Sequence, residues 1–228
     1  MQDLIIALDL STPQGTQGTL AAASMNGSIM EVLLEQTVGA EGDHCSGVIP
    51  TIDAALHTLG ASKESIKRMM IPTGPGSFTG LRLGFATAKA FALSWGITID
   101  LVDGAEVRAI QWAQTHSESA EKTICTVTFI SRSSCLFNSY TTDSFRNVTL
   151  TQESQMTLAD AEQTLLKTVD NILWDERSFT AKTLSTGVLF PLRANLLIRA
   201  RPHAKTLQEL SEFSQIAAAS PRYPGSKF

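Results

Sequence analysis

The sequence predicts a layered α/β protein, and three observations carry that expectation. The run "LIIALDLST", residues 4–12, is apolar and closes on Asp-Leu-Ser-Thr, the pattern of a short strand buried on both faces. Asn26-Gly27 separates the apolar runs "GTLAAASM" and "SIMEVLLEQ", and this dipeptide tolerates the positive φ angles of a tight hairpin turn. Farther on, the strand-like runs "KRMMIPT" and "GITIDLV" enclose a long apolar helix. Three strands, helix, strand, helix, strand make one α/β unit.

The first helix is read from Ile49, Ile52, Leu56 and Leu59, with Gly60 just past its end. Pro50 lies inside this pattern, so the helix either begins there or runs upstream toward His44 with a kink. After the helix that follows "PTGPGSFTG" and the strand "GITIDLV", a boundary is placed at Asp103-Gly104. This divides the chain into a lobe over 1–103 and a smaller lobe over 104–228. In the second part "VRAIQWAQ" reads as helix, and "TICTVTFI" and "CLFNSYTT" as strands. "TLADAEQTLLKTV" reads as an amphipathic helix capped by Thr157, and "TLSTGVLF" as a strand. A last helix is expected over about 206–220, stopped by Pro221 and packing back on the first lobe. No close internal repeat is visible.

Composition narrows the function classes. Of 228 residues, 43% are hydrophobic and 18% charged, which is enough apolar material for a real core and excludes a disordered chain. The net charge of −4, with no Lys/Arg-rich run, argues against a protein that grips nucleic acid by itself. Cys45, Cys125 and Cys135 are odd in number and not spaced as zinc ligands, so they read as free thiols. The first residues carry neither a basic region nor a long apolar run, which leads to the expectation of a soluble, cytoplasmic protein without a membrane span.

The stretch "PTGPGSFTGLRLGFATAKAF", residues 72–91, carries the most information. Its glycine-rich loop opens a helix, where backbone N–H groups and the helix dipole can receive an anion. Yet no Gly-Lys-Ser/Thr follows, so it is not a phosphate loop of that kind. A nucleophile elbow would need glycine at Pro75 and Thr79. Ser77 and Thr79 read as helix caps. On a helical wheel Gly80, Gly84, Ala88 and Phe91 share one side, with Arg82 and Lys89 opposite. The helix is apolar or small around most of its circumference, more than one sheet requires. Two readings stand: Gly80, Gly84 and Ala88 admit a helix of this chain, such as residues 49–59, or they admit the backbone of another molecule.

The segment "GPGSFTGLRLG" closely resembles the signature of the bacterial TsaB (YeaZ) family, subunits of the machinery that makes threonylcarbamoyladenosine in tRNA. "LIIALDLST", "HCSGVIPTIDAALHTLG" and "ATAKAFAL" resemble the neighbouring segments of that family, and "SPRYPG" resembles its ending more loosely. The resemblance spans roughly residues 4–103. It implies an actin/sugar-kinase/Hsp70-like (ribonuclease H-like) α/β fold, two lobes with mixed sheets flanked by helices. It also implies a non-catalytic subunit that binds TsaD, which transfers threonylcarbamoyl to adenosine 37 of tRNA, with TsaE as a further partner. TRNA would be met only through the complex. The implied interface is Pro50 and Asp53 on the first helix and Gly76, Ser77, Phe78, Thr79, Gly80, Arg82, Gly84 and Ala88 on the second. A homodimer through the same helices is a further expectation. No intrinsic cofactor is expected; ATP or ADP would sit at the interface with TsaD. In the second lobe "FISRSSCLFNSY" offers Arg132 for the family's arginine but lacks its acidic residues.

The rival expectation is an independent ATP-dependent phosphotransferase or ATPase of the same fold. Asp9, Ser11 and Thr12 could form a phosphate turn, vestigial or active, with Asp9 either closing its strand or holding a metal. "STGVLF" is a weak counterpart in the second lobe. His44, His57, His116 and His203 show no pair at i, i+4 spacing, so no metal site is expected.

Overall fold

The computed structural model describes residues 3–12, 17–26, 29–39, 46–116, 122–130, 133–143, 147–168, 171–174, 187–189 and 192–223. The chain opens with β1 (Leu4–Asp9), β2 (Gly18–Asn26) and β3 (Ile29–Val38) as an antiparallel meander, with Asn26 paired to Ile29 across the predicted turn. Residue Gly27 of that turn lies outside the described residues. Helix α1 (Val48–Thr58) and a single 3-10 turn at Lys63–Ser65 lead into β4 (Ile66–Gly74), which pairs parallel to β1. Pro50 sits in the first turn of α1, where its missing N–H would have had no helical acceptor, so no kink is needed. The upstream alternative at His44 lies outside the described residues. Gly60 takes a φ of 59°, the left-handed conformation expected past a helix end.

Helix α2 (Phe78–Trp95) and β5 (Thr98–Asp103) complete this unit, β5 lying parallel to β4. Helix α3 (Gly104–Thr115) follows β5 directly, capped by Asp103, whose Oδ1 accepts the N–H groups of Ala105 and Glu106. A second meander follows: β6 (Thr123–Phe129), β7 (Ser134–Thr142) and β8 (Val148–Thr157). Helix α4 (Leu158–Thr168) starts where Thr157 Oγ1 accepts the Asp160 N–H at 3.1 Å. Strands β9 (Asn171–Trp174) and β10 (Gly187–Leu189) then pair parallel beside β6.

The two sheets repeat one topology. The first runs β11-β5-β4-β1-β2-β3 and the second β10-β9-β6-β7-β8. Set β11 aside, and each is an antiparallel meander whose first strand also pairs in parallel with the strand reached through α1 in one sheet and α4 in the other, and that strand pairs in parallel with a fifth. The architecture is the actin/sugar-kinase/Hsp70-like one, mixed sheets flanked by helices. The repeat is invisible in the sequence because topology constrains hydrophobic periodicity, not residue identity.

The last residues depart from the expected division. The sequence assigns 104–228 to the second lobe, but helix α5 (Ala194–Ala200) lies on the first sheet, its Ala194 N–H donating to Thr19 Oγ1 of β2. The helix expected over 206–220 is instead β11 (Gln208–Leu210), an antiparallel edge beside β5, and a short helix α6 (Phe213–Ala218) against α2. Propensity favoured a helix there; pairing with the open β5 edge and the Arg201–Glu209 ion pair favour the strand.

Strand β1 shows why the first sheet is the centre of the molecule. Leu4, Ile6 and Leu8 face one core with Ile52, Leu56, Phe85, Phe91 and Ile216, from α1, α2 and α6. Ile5 and Ala7 face the other, with residues of α3, α5 and the second sheet. Alternating side chains buried on both sides explain its continuous apolar run. A third, smaller core holds Cys125, Val127, Cys135, Phe137 and Ala161 between the second sheet and α4.

Candidate functional site

The glycine loop is held by the end of β1. Ser77 N–H donates to the Ser11 carbonyl at 2.8 Å, and Ser77 Oγ accepts the Gly80 N–H at 3.3 Å, making Ser77 the cap of α2. Thr79 lies within the first turn instead of capping it. A Cβ on Gly76 would fall 2.5 Å from Ser11, and one on Gly80 would fall 1.6 Å from the Leu10 carbonyl oxygen. These glycines bring the loop and helix onto the strand end. The Asp9, Ser11 and Thr12 turn lies directly beneath. Asp9 is fully buried, and its Oδ1 accepts the N–H of Ser11 at 2.9 Å and its hydroxyl at 2.5 Å. This is an Asx-type turn that closes the strand. Thr12 Oγ1 is buried without a partner.

Helix α2 divides into an inward and an outward side, and the division corrects one expectation. Gly80, Leu81, Gly84, Phe85, Thr87, Ala88, Phe91 and Ala92 are buried. Gly80 touches this chain's own β1, and Ala88 is wholly enclosed in the core shared with α1. Small residues at 80 and 88 therefore serve packing within the chain, and neither presents a backbone groove to a neighbour. Gly84 differs: although buried, an added Cβ would meet no atom within 4 Å, which marks a narrow gap beside the helix. The side that faces solvent is formed by Thr79, Arg82, Ala86, Ala90 and Leu93, one stripe at helical spacing.

Helix α1 lies on the same face of the first sheet and exposes a matching stripe of Ile49, Pro50, Asp53, Ala54 and His57. Ile49 is 56% exposed, Leu93 53% and Phe78 52%, unusual values for large apolar side chains. Of the residues named from sequence, Pro50, Asp53, Phe78, Thr79 and Arg82 are exposed on this face, Gly76 and Ser77 are half-buried in the loop, and Gly80, Gly84 and Ala88 lie beneath.

The C-terminal segment 221–223 runs across the start of α2, a contact that no feature of the sequence indicated. The Arg222 N–H donates to the Thr73 carbonyl at 2.7 Å. Its guanidinium pairs with Asp103 Oδ2 at 2.9 Å and with Glu153 of β8. Backbone and side chain of one residue thus join β4, the cap of α3 and the second sheet. Tyr223 packs on Phe78 with ring centroids 4.7 Å apart, and its hydroxyl accepts from Arg82 Nε at 3.3 Å. The Arg82 guanidinium lies 4.0 Å from the Phe78 centroid. Lys89 in turn donates to the Ala217 carbonyl of α6. Sheet on one side and C-terminal segment on another account for much of the apolar circumference of α2.

Among the described residues no three His, Cys, Asp or Glu side chains group as a metal site. His57 and His203 are exposed, and His116 stacks on Trp112 with centroids 4.3 Å apart. His44 and Arg132 lie outside the described residues. Among the described residues, no helix is long and apolar enough to cross a membrane.

A family profile described as "TsaD: tRNA N6-adenosine threonylcarbamoyltransferase" matches residues 37–125, a stretch that contains both α1 and α2. An uncharacterized protein of Mycobacterium tuberculosis is 30% identical over 95 residues, covering 42% of this chain and 43% of its own length. The Bacillus subtilis "tRNA threonylcarbamoyladenosine biosynthesis protein TsaB" is 31% identical over 84 residues, 34% of this chain and 37% of that protein. The chain thus spans less than half the length of these curated relatives. The structure "YeaZ from Pseudomonas aeruginosa" superimposes with a TM-score of 0.64 at 14% identity, over 97% of this chain and 100% of that one. The chain is accordingly a protein of the actin/sugar-kinase/Hsp70-like fold, similar in structure to YeaZ along nearly its whole length and in sequence to TsaB over 84 residues.

Proposed function

We propose that the protein is a non-catalytic subunit that binds a TsaD-type threonylcarbamoyltransferase through the outward faces of α1 and α2 and supports threonylcarbamoyl transfer to adenosine 37 of tRNA. The observation that carries this reading is the two helices on one face of the first sheet that present Ile49, Phe78 and Leu93 to solvent, inside residues 37–125 that match the TsaD profile. Pro50, Asp53, Thr79 and Arg82 complete the face. The loop residues Gly76 and Ser77, and Gly80, Gly84 and Ala88 beneath, hold the helix at its angle. Tyr223 braces Phe78 and Arg82 from the side. On this reading TsaE joins the assembly, tRNA is met through it, any ATP or ADP lies at the joint interface, and the protein works in the cytoplasm. A homodimer would use the same surface.

The rival, an independent ATPase or phosphotransferase, would use the Asp9, Ser11 and Thr12 turn. Asp9 Oδ1 accepts from its own Ser11, the Asx-type turn of a closed strand end. The deciding experiment is co-purification with TsaD followed by reconstitution of tRNA modification with and without this chain. Leu93→Arg, on the outward stripe, should weaken TsaD binding at least about tenfold while circular dichroism stays unchanged. Unchanged binding by Leu93→Arg and Phe78→Ala together would refute the proposed face. ATP turnover by the purified chain that is lost in Asp9→Ala would favour the rival.

A further inference from the structure

We propose that the protein holds a small oxyanion, of phosphate or carboxylate type, on the guanidinium of Arg108 in the seam between α3 and the second sheet. Arg108 is only 4% exposed. The hydrogen bond found for it is a single contact with a neutral group, Nη1 donating to Thr128 Oγ1 of β6 at 3.3 Å. Nε has no partner, and no carboxylate among the described residues lies within ion-pair distance. With Nη1 on Thr128, the edge formed by Nε–H and Nη2–H remains, the fork that binds carboxylates and phosphates side-on.

Three more unsatisfied groups share the seam. Trp112 lies one turn further along α3, 3% exposed, with its indole N–H unpartnered. Thr126, two residues before Thr128 and so on the same face of β6, is 1% exposed with an unpartnered hydroxyl. Asn138 stands directly across from Thr126 in register, and its Oδ1 is unpartnered. Most buried polar atoms in native proteins have partners, so four orphans along one helix–sheet seam call for an explanation.

The chemistry of the four points to one kind of ligand. Guanidinium and indole can only donate, and the threonine hydroxyl can donate. Asn138 Nδ2 lies 3.3 Å from the Tyr140 hydroxyl. If its amide is turned over, the phenol donates to Oδ1 and the amide N–H groups face the seam. Every group then offers hydrogen, so the missing partner is an acceptor. It is also anionic, because ordered water would satisfy hydrogen bonds but leave a buried cation uncompensated. The nearby carboxylates are engaged elsewhere. Asp103 caps α3 and pairs with Arg222, Glu153 pairs with Arg222, and Glu106 accepts from the Lys205 and Thr206 N–H groups.

The test uses the full chain, titrated with sodium phosphate while chloride holds the ionic strength constant. Melting temperature and the indole ¹H–¹⁵N resonance of Trp112 are followed. Parallel arms with sulfate and with acetate separate a tetrahedral ligand from a carboxylate. The expected result is a saturable rise in Tm of about 5 °C with one of these anions, accompanied by movement of the Trp112 resonance. Arg108→Met should fold without the anion, melt no lower than wild type in chloride alone, and lose both responses. Arg108→Lys, which keeps the charge but not the fork, should need about tenfold more anion. Two results would overturn the proposal: wild-type protein unresponsive to all three anions, meaning the seam holds water only, or an equal response in Arg108→Met, meaning an adventitious surface ion. Should Arg108→Met not fold, the near-isosteric Thr126→Val replaces it, and an undiminished response in that variant overturns the proposal equally.

Discussion

Gly80 and Gly84 are four residues apart on one helix and alike in sequence, yet the same substitution should move them in opposite directions. A Cβ at Gly80 would penetrate the Leu10 carbonyl, a backbone atom that cannot swing aside. Gly80→Ala should therefore destabilise by about 3 kcal/mol, read as a shift of the urea midpoint. Gly84 has no atom within 4 Å of its would-be Cβ, so Gly84→Ala should gain about 0.5–1 kcal/mol from helix propensity. If the two variants behave alike, the close seating of α2 on the end of β1 is wrong. The buried thiols belong to the same scale. Burial pushes Cys125 and Cys135 up to about 11, so both remain neutral and unreactive at neutral pH. Mass spectrometry after iodoacetamide at pH 8 should find neither labelled until the protein unfolds. A group whose pKa is raised on folding stabilises below its unfolded pKa and loses that contribution as pH climbs through the folded one. Stability should thus fall between about pH 9 and 11 from these two thiols.

At the scale of elements, two ion-pair clusters tie the C-terminal pieces to the rest. Asp100 on β5 is fully buried and accepts from both Arg68 and Arg201, which also reach Glu209 of β11. The hydrogen bond that Arg68 donates to Asp100 is the main reason its guanidinium holds its proton more tightly than usual. Asp100→Ala would strand two largely buried cations and should cost about 3 kcal/mol, measured by chemical denaturation. Arg222 holds β4 through its backbone N–H and joins Asp103, the cap of α3, to β8 through its side chain. Arg222→Ala should cost about 2 kcal/mol and speed amide exchange in residues 76–80, because Tyr223 would lose its fixed seat on Phe78. Exchange there at the wild-type rate would show that the segment does not brace the start of α2.

Across the whole molecule, two copies of one topology are joined face to face by α3 and by the returning C-terminal residues. Much of the first copy was legible in the sequence. Leu4–Asp9 alternates into two cores, Asn26-Gly27 lies between paired strands, Ser77 caps α2, and Thr157 caps α4, because each depends on neighbours within a few residues. Strand β8 was not legible: its residues are mostly exposed and polar, so no alternation of apolar side chains betrays it. Nor was α5, too short for a periodic signal. Strand β11 was misjudged because edge pairing with β5 is a property of a distant partner.

The face of α2 shows the same limit most sharply. The sequence by itself determined that a helix of small and apolar residues follows the glycine loop, since local periodicity and a capping hydroxyl suffice for that. Only the tertiary structure decided which side meets this chain and which meets solvent. Gly80 and Ala88 turned inward because β1 and the core lie there, and Ala86, Ala90 and Leu93 were left outside because nothing in the described chain covers them. A helical wheel ranks residues around an axis, but the zero of that angle is set by the packing of distant segments.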